Sequence, residues 1–204
     1  MPEKYLRKYF IMGSQNCLRD PVTILTEAIQ GGITAFQYRE KGLGALKGDA
    51  KITLAKELRH VCQQYRVPFI INDDIELIDL LHVDGVHVGQ NDVSVVDLRK
   101  AYPNLQIGLS VSNEQELKNS PLHLIDYVGA GPVYPTNSKP DAKKAVGLQW
   151  ISKLRAMHPA LPIVGIGGIQ STNAPEVIRA GANGVAVISA ITKADDIEST
   201  VSFL

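Results

Sequence analysis

Eight short apolar runs, each followed by a helical pattern, predict an α/β chain folded as one (β/α)8 TIM barrel. The length agrees: 204 residues suit a single domain with a substantial core and lie near the smallest size for such a barrel. No GxGxxG follows the first apolar run, and an open doubly wound sheet, the runner-up, usually has fewer strands. No second domain, low-complexity tract or short repeat interrupts residues 1–204.

The candidate strands are YFIMG (9–13), TAFQYR (34–39), PFIIND (68–73), GVHVGQ (85–90), QIGLSV (106–111), DYVGAGPVY (126–134), PIVGIGG (162–168) and GVAVISA (184–190). Between them lie segments with helix boundaries. Asp20-Pro21 supplies an N-cap and a first-turn proline ahead of VTILTEAIQ, and Gly31 stands at the C-cap. DAKITLAKELRHVCQQY is the longest amphipathic stretch. Asn113 with Glu116 reads as a capping box. Ser171, Thr172 and Asn173 with Pro175 open a later helix that Gly181 closes.

Composition excludes several classes of function. Lysine plus arginine equals aspartate plus glutamate, 21 against 21, so no global field favours nucleic acid or membrane. Cys17 and Cys62 lack metal or redox spacing and suggest a reducing compartment. The run YFIM behind the first basic residues is too short for a signal segment, and no stretch approaches the ~18 apolar residues of a membrane span. A cytoplasmic location is the simplest expectation.

In such a barrel the chemistry belongs at the C-terminal strand ends. There Gln37, Arg39 and Lys41 share one parity along FQYREK, which directs them inward and Glu40 outward. Unpaired inward charge costs several kcal/mol, so these cations imply an anionic ligand or a salt bridge to Asp73. Asp73 and Asp92 follow neighbouring strands and repel unless a proton or cation lies between them; with no histidine–cysteine cluster nearby, Mg²⁺ is the natural ion. The alternative is that each caps the next helix. GIGG (165–168) and ISA (188–190) suit a second, phosphate-binding wall, although glycines also simply turn corners. The segment 136–147 is long for a βα connection and carries Lys139, as a lid or a solvated loop would. His60, His82, His123 and His158 are scattered without ligand spacing, whereas His87 shares the parity of Gly85 and Gly89.

Taken together, QYREK, INDD, GVHVGQND, GLSVS, DYVGAGPVYPTNSK, IVGIGGI and GVAVISAI closely resemble the thiamine-phosphate synthase family, in family order from Tyr9 to about Ile191. The resemblance implies a transferase joining 4-amino-2-methyl-5-(diphosphooxymethyl)pyrimidine to 4-methyl-5-(2-phosphooxyethyl)thiazole, with loss of pyrophosphate. It implies that Gln37, Tyr38, Arg39, Glu40 and Lys41, with Asn72, Ser110 and Lys139, hold the pyrimidine diphosphate. Among these, Arg39, Lys41, Ser110 and Lys139 are the implied catalytic residues. It assigns one Mg²⁺, for which Mn²⁺ can substitute, to Asp73 and Asp92. Thr136, Asn137 and Ser138 would hold the thiazole phosphate over Gly168, Ile188 and Ser189. Tyr9, His87 and Gln90 match positions lining the pyrimidine pocket.

Two departures stand out: Ser112, where many relatives have histidine, and a short segment after Asp195. A related thiazole tautomerase shares the barrel but has no metal or diphosphate site and uses a histidine where this chain has Gly131-Pro132. A non-catalytic phosphate-ligand barrel would need loss of the cations and carboxylates, and a phosphosugar epimerase leaves the cations of FQYREK unexplained. The expected partners are small molecules; a homo-oligomer is compatible with the sequence.

Overall fold

The computed structural model describes residues 3–138 and 143–204. Eight parallel strands pair in chain order and close with β1 against β8. They are β1 (Lys8–Met12), β2 (Ala35–Tyr38), β3 (Phe69–Asn72), β4 (Gly85–Val88), β5 (Gln106–Val111), β6 (Tyr127–Ala130), β7 (Ile163–Ile166) and β8 (Gly184–Val187). The helices are α1 (Pro21–Gln30), α2 (Gly48–Tyr65), α3 (Leu77–Leu81), α4 (Val95–Ala101), α5 (Glu114–Asn119), α6 (Leu148–Met157), α7 (Ala174–Arg179), α8 (Ser189–Thr192) and α9 (Ile197–Ser202). This is the expected (β/α)8 barrel and not an open sheet. Among the described residues no helix is long and apolar enough to cross a membrane.

All eight expected strands form, but most stop earlier than their apolar runs. The sixth run was expected to reach Tyr134, whereas pairing ends at Ala130. Pro132 has no N–H with which to extend a ladder. The residues cut from the strand ends are those that splay around the barrel mouth.

Alternation along each strand divides the core in two. Inside the barrel lie Leu6, Tyr9, Ile11, Ile70, Tyr127 and Val164. Between strands and helices lie Phe10, Phe36, Tyr38, Phe69, Val86 and Leu109 with the buried faces of α1, α2 and α6. Strand register sets the site: Asn72 lies beside His87, His87 beside Gly108, and Ser110 beside Gly129.

The helix boundaries follow their side chains. Asp20 Oδ2 accepts from the Thr23 N–H at 2.8 Å, and Pro21 begins α1. Asn113 Oδ1 accepts from the Glu116 N–H at 2.9 Å, while Glu116 Oε2 accepts from the Ser112 N–H at 2.8 Å. The box therefore closes one residue further back than its simplest form. Gly31 is the C-cap of α1 but stays right-handed (φ −69°); the left-handed turn falls on Gly32 (φ 95°). Arg66 (φ 59°) and His82 (φ 46°) end α2 and α3 in the same left-handed conformation without glycine, which residue type alone did not reveal.

Gly31 answers to α9. The short C-terminal segment does form a helix, which packs on α1 and buries Ile197 and Val201. The Lys8 ammonium donates to the Val201 and Ser202 carbonyls at 2.7 and 3.0 Å. A Cβ on Gly31 would lie 2.9 Å from Glu198 Cα and from Val201 Cβ. Because φ at Gly31 suits any residue, Gly31→Ala tests packing alone. We expect it to lower stability to urea by about 1–3 kcal/mol through displacement of α9; an unchanged unfolding midpoint would show that α9 does not depend on this contact.

Candidate active site

A cavity of about 340 Å³ opens at the C-terminal ends of the strands, a size suited to small-molecule ligands. One wall comes from the ends of β2 to β5 and carries Arg39, Lys41, Asn72, Asp73, His87, Gln90, Asp92 and Ser110. The facing wall comes from β6 to β8 and carries Thr136, Ser138, Gly168, Ile188 and Ser189. The two groups expected to bind anions thus face each other across one space.

Alternation continues past the end of β2. Arg39 and Lys41 line the cavity although pairing stops at Tyr38. Tyr38 and Glu40, grouped with them by resemblance, do not line it. The Tyr38 ring packs among the outer core, its hydroxyl donating to the Lys51 carbonyl at 3.1 Å. Glu40 points away from the cavity, as its parity requires, but it is 6% exposed and fully engaged. Its carboxylate accepts from the Ser14 N–H (2.8 Å), the Ser14 hydroxyl (2.6 Å) and the Leu46 N–H (2.7 Å). Glu40 therefore ties the loop after β1 and the loop after β2 to one point between Arg39 and Lys41. Gln15 adds to the clamp, its Nε2 donating to the Arg39 and Lys41 carbonyls at 3.0 and 3.2 Å. Sequence parity located Glu40 but could not identify Ser14, Gln15 or Leu46 as its surroundings.

Asp73 and Asp92 do come together, and neither caps a helix as the alternative required. Asp73 has a left-handed backbone (φ 61°), a conformation rare outside glycine but tolerated by aspartate. The Lys41 ammonium lies 2.6 Å from Asp73 Oδ2 and 3.8 Å from Asp92 Oδ1. The salt bridge considered from sequence is therefore present, with one lysine between two carboxylates. Asp92 Oδ2 also accepts from the Gly89 N–H at 2.8 Å. Burial raises the Asp73 pKa above the usual carboxylate range, the Asp92 charge adds to this, and Lys41 pulls it back. The hydrogen bond that Lys41 donates to Asp73 in turn raises the pKa of Lys41. Asp74, next in sequence, pairs instead with Lys51 of α2 at 2.6 Å.

The donor chemistry fits a hard divalent cation. Among the described residues no third aspartate, glutamate, histidine or cysteine joins the pair to make a complete protein cage. Two carboxylates with ligand phosphate and water are the usual coordination of Mg²⁺.

On the facing wall, Ser138 and Ser189 meet hydroxyl to hydroxyl at 3.0 Å, and the Ser138 N–H donates to Thr136 Oγ1 at 3.2 Å. Gly167 and Gly168 are both left-handed (φ 100° and 64°). A Cβ on Gly168 would lie 2.6 Å from the Pro135 carbonyl, so the loop after β6 and the turn after β7 pack backbone to backbone. Because α8 is a single turn beginning at Ser189, an anion here depends on local N–H and hydroxyl donors more than on a helix dipole. Asn137 is exposed and outside the lining, and Lys139 lies outside the described residues. Lys143, which sequence reasoning did not single out, reaches the lining and pairs with Glu116 at 2.6 Å.

Of the expected pyrimidine pocket, His87 and Gln90 line the cavity, whereas Tyr9 and Gln37 are 1% exposed beneath it. Gln37 Nε2 donates to Tyr9 Oη at 3.0 Å; Tyr9 Oη meets Tyr127 Oη at 2.8 Å; Tyr127 Oη meets His87 Nδ1 at 3.1 Å; and His87 Nε2 meets Ser110 Oγ at 2.9 Å. Tyr127 escaped sequence reasoning because it enters the barrel at the start of β6, far from the expected strand end. A sign was available in Gly108: a Cβ there would collide with the Tyr127 ring and the His87 imidazole.

The geometry makes two measurable statements. Glu40→Ala should lower stability by about 1–3 kcal/mol, since it leaves three half-buried donors without their acceptor, and should weaken anion binding through Arg39 and Lys41, read by chemical denaturation and pyrophosphate titration. Asp92→Asn should bring the Asp73 pKa down without restoring it fully, because burial is the larger cause. The folded state holds the Asp73 proton more tightly than the unfolded chain does. Asp73 therefore favours folding below the ordinary carboxylate range and opposes it as pH rises through the shifted value. Carboxyl-carbon NMR titration of Asp73 in both proteins measures the change.

Comparison with known proteins identifies the family. The model of the family described as thiamine monophosphate synthase matches residues 8–191. A thiamine-phosphate synthase of Oceanobacillus iheyensis is 58% identical over 199 residues, covering 98% of this chain and 97% of that protein. One from Streptococcus suis is 48% identical over 197 residues, covering 96% and 86%. The solved thiamine phosphate pyrophosphorylase of Pyrococcus furiosus superposes with a TM-score of 0.86 at 31% identity, covering 99% of this chain and 95% of that one. The chain belongs to the thiamine monophosphate synthase family and is a transferase of thiamine biosynthesis.

Proposed function

We propose that this chain condenses 4-amino-2-methyl-5-(diphosphooxymethyl)pyrimidine with 4-methyl-5-(2-phosphooxyethyl)thiazole, giving thiamine phosphate and pyrophosphate in the cytoplasm. One observation carries the reading: a single cavity sets a cation-and-carboxylate wall opposite a serine-and-glycine wall. The first suits a diphosphate with a divalent cation, and the second suits a monoester.

On this reading Arg39 and Lys41, with Lys139 assigned by resemblance, bind the diphosphate and stabilise charge as it leaves. Asp73 and Asp92 would hold one Mg²⁺, or Mn²⁺ in its place, which supplies charge neutralisation to the departing pyrophosphate. Lys41 then turns from Asp73 toward the diphosphate. Ser110 hydrogen-bonds the same group and does not act as a nucleophile. Thr136, Ser138 and Ser189, with the Gly168 and Ile188 backbone, position the thiazole phosphate, and Asn137 completes that loop. The bond to pyrophosphate breaks first; the electron-rich aminopyrimidine delocalises the methylene cation and the thiazole nitrogen attacks it. Catalysis is positioning plus electrostatics, with no covalent enzyme intermediate.

The test is formation of thiamine phosphate from the two substrates with and without divalent metal. Asp73→Asn and Asp92→Asn should each lower the rate by about a hundredfold or more. Equal rates in excess chelator would overturn the metal assignment, and no product with any divalent ion would overturn the reaction.

A further inference from the structure

We infer that the buried chain Gln37–Tyr9–Tyr127–His87–Ser110 is a one-way hydrogen-bond relay that makes the Ser110 hydroxyl a donor into the cavity, with Tyr127 as its positioning residue. The inference rests on the proposed function only in naming the diphosphate as the acceptor that Ser110 meets. Everything before that step is donor and acceptor bookkeeping.

Direction is set at one end. The Gln37 amide turns its nitrogen to Tyr9 Oη and leaves Oε1 buried without a partner among the described residues. The opposite amide orientation would bury an unpartnered NH2 group, and orphaned N–H groups are rarer than under-satisfied carbonyls. Tyr9 Oη thus accepts from Gln37 and gives its single proton to Tyr127 Oη. Tyr127 in turn donates to His87 Nδ1. A neutral imidazole that accepts at Nδ1 carries its proton on Nε2. That N–H donates to Ser110 Oγ, whose own proton is then left for the cavity it lines.

The surroundings hold this order in place. Tyr9 and Tyr127 are each 1% exposed, and burial raises both phenol pKa values, so each remains a donor. Their rings sit 5.9 Å apart, and the Tyr127 and His87 rings 5.5 Å apart. Gly108 and Gly129 leave the imidazole its space: a Cβ on Gly129 would lie 3.0 Å from His87 Cε1, and one on Gly108 would collide with both rings. With the relay reversed, Ser110 would donate to His87 and present only lone pairs to an anion.

Nitrogen-15 NMR of His87 at mildly alkaline pH reads the relay directly. The unsubstituted protein should show the Nε2–H tautomer, and Tyr127→Phe, which keeps the ring, should shift population toward Nδ1–H. Titration with inorganic pyrophosphate and Mg²⁺ should give an affinity about tenfold weaker in Tyr127→Phe, a loss of about 1.4 kcal/mol, with inorganic phosphate binding unchanged. Tyr9→Phe, one step further back, should act in the same direction. Ser110→Ala should remove the effect, so that adding Tyr127→Phe to it costs nothing more. An Nδ1–H tautomer in the unsubstituted protein, or additive losses in the double variant, would overturn the relay. An Nε2–H tautomer in a protein that binds no pyrophosphate would leave the relay standing and overturn the assignment of the site.

Discussion

Closure of β1 against β8 is the constraint from which the site follows. A closed sheet has no free edge and no slack in register, so each side chain is committed to the barrel interior or to the helix layer. That commitment separates Arg39 from Tyr38, two adjacent residues with one in the cavity and one in the outer core. It also brings Asn72, His87 and Ser110, from three strands, onto one inner wall. Beside the closing pair, Lys8 begins β1 and reaches across to the last carbonyls of α9.

The barrel interior shows how an apolar scaffold admits polar groups. Ile11, Ile70 and Val164 give it an apolar filling, whereas Tyr9, Gln37, Tyr127 and His87 bring hydrogen-bonding atoms into the same space. Each such atom costs about 1–3 kcal/mol if left unpaired. Linking them in series satisfies nearly all of them and leaves one buried amide oxygen at the far end. Rigidity accompanies this arrangement, because Tyr9, Tyr127 and His87 cannot rotate without each breaking two bonds.

Much of this was legible in the sequence, for identifiable reasons. Period-two alternation identified the strands and the inward parity of Gln37, Arg39 and Lys41, because both depend only on local backbone geometry. Asp20 and Asn113 were readable as caps because an N-cap is a short-range interaction. What escaped was long-range. Glu40 was correctly directed away from the cavity, yet its burial under Ser14 and Leu46 depends on how two loops fold toward each other. Tyr127 lies forty residues from His87, and nothing in DYVGA marks it as more than a strand residue. The left-handed ends at Arg66 and His82 carry no glycine to mark them.

Charge at the mouth is arranged for exchange. Lys41 neutralises Asp73 at 2.6 Å and reaches toward Asp92 at 3.8 Å, so one ammonium serves two carboxylates. Burial nevertheless raises the Asp73 pKa, and the Asp92 charge adds to this against the pull of Lys41. Were a divalent cation held there, as proposed above, it would compensate the pair more completely and would free Lys41 for a phosphate oxygen. On the proposed reading, metal and diphosphate therefore favour each other's binding: the first supplies the lysine that the second needs, and the second supplies oxygen ligands that two carboxylates cannot complete alone. A lysine fixed outside the carboxylate pair would bind the same anion but would not link its arrival to that of the cation.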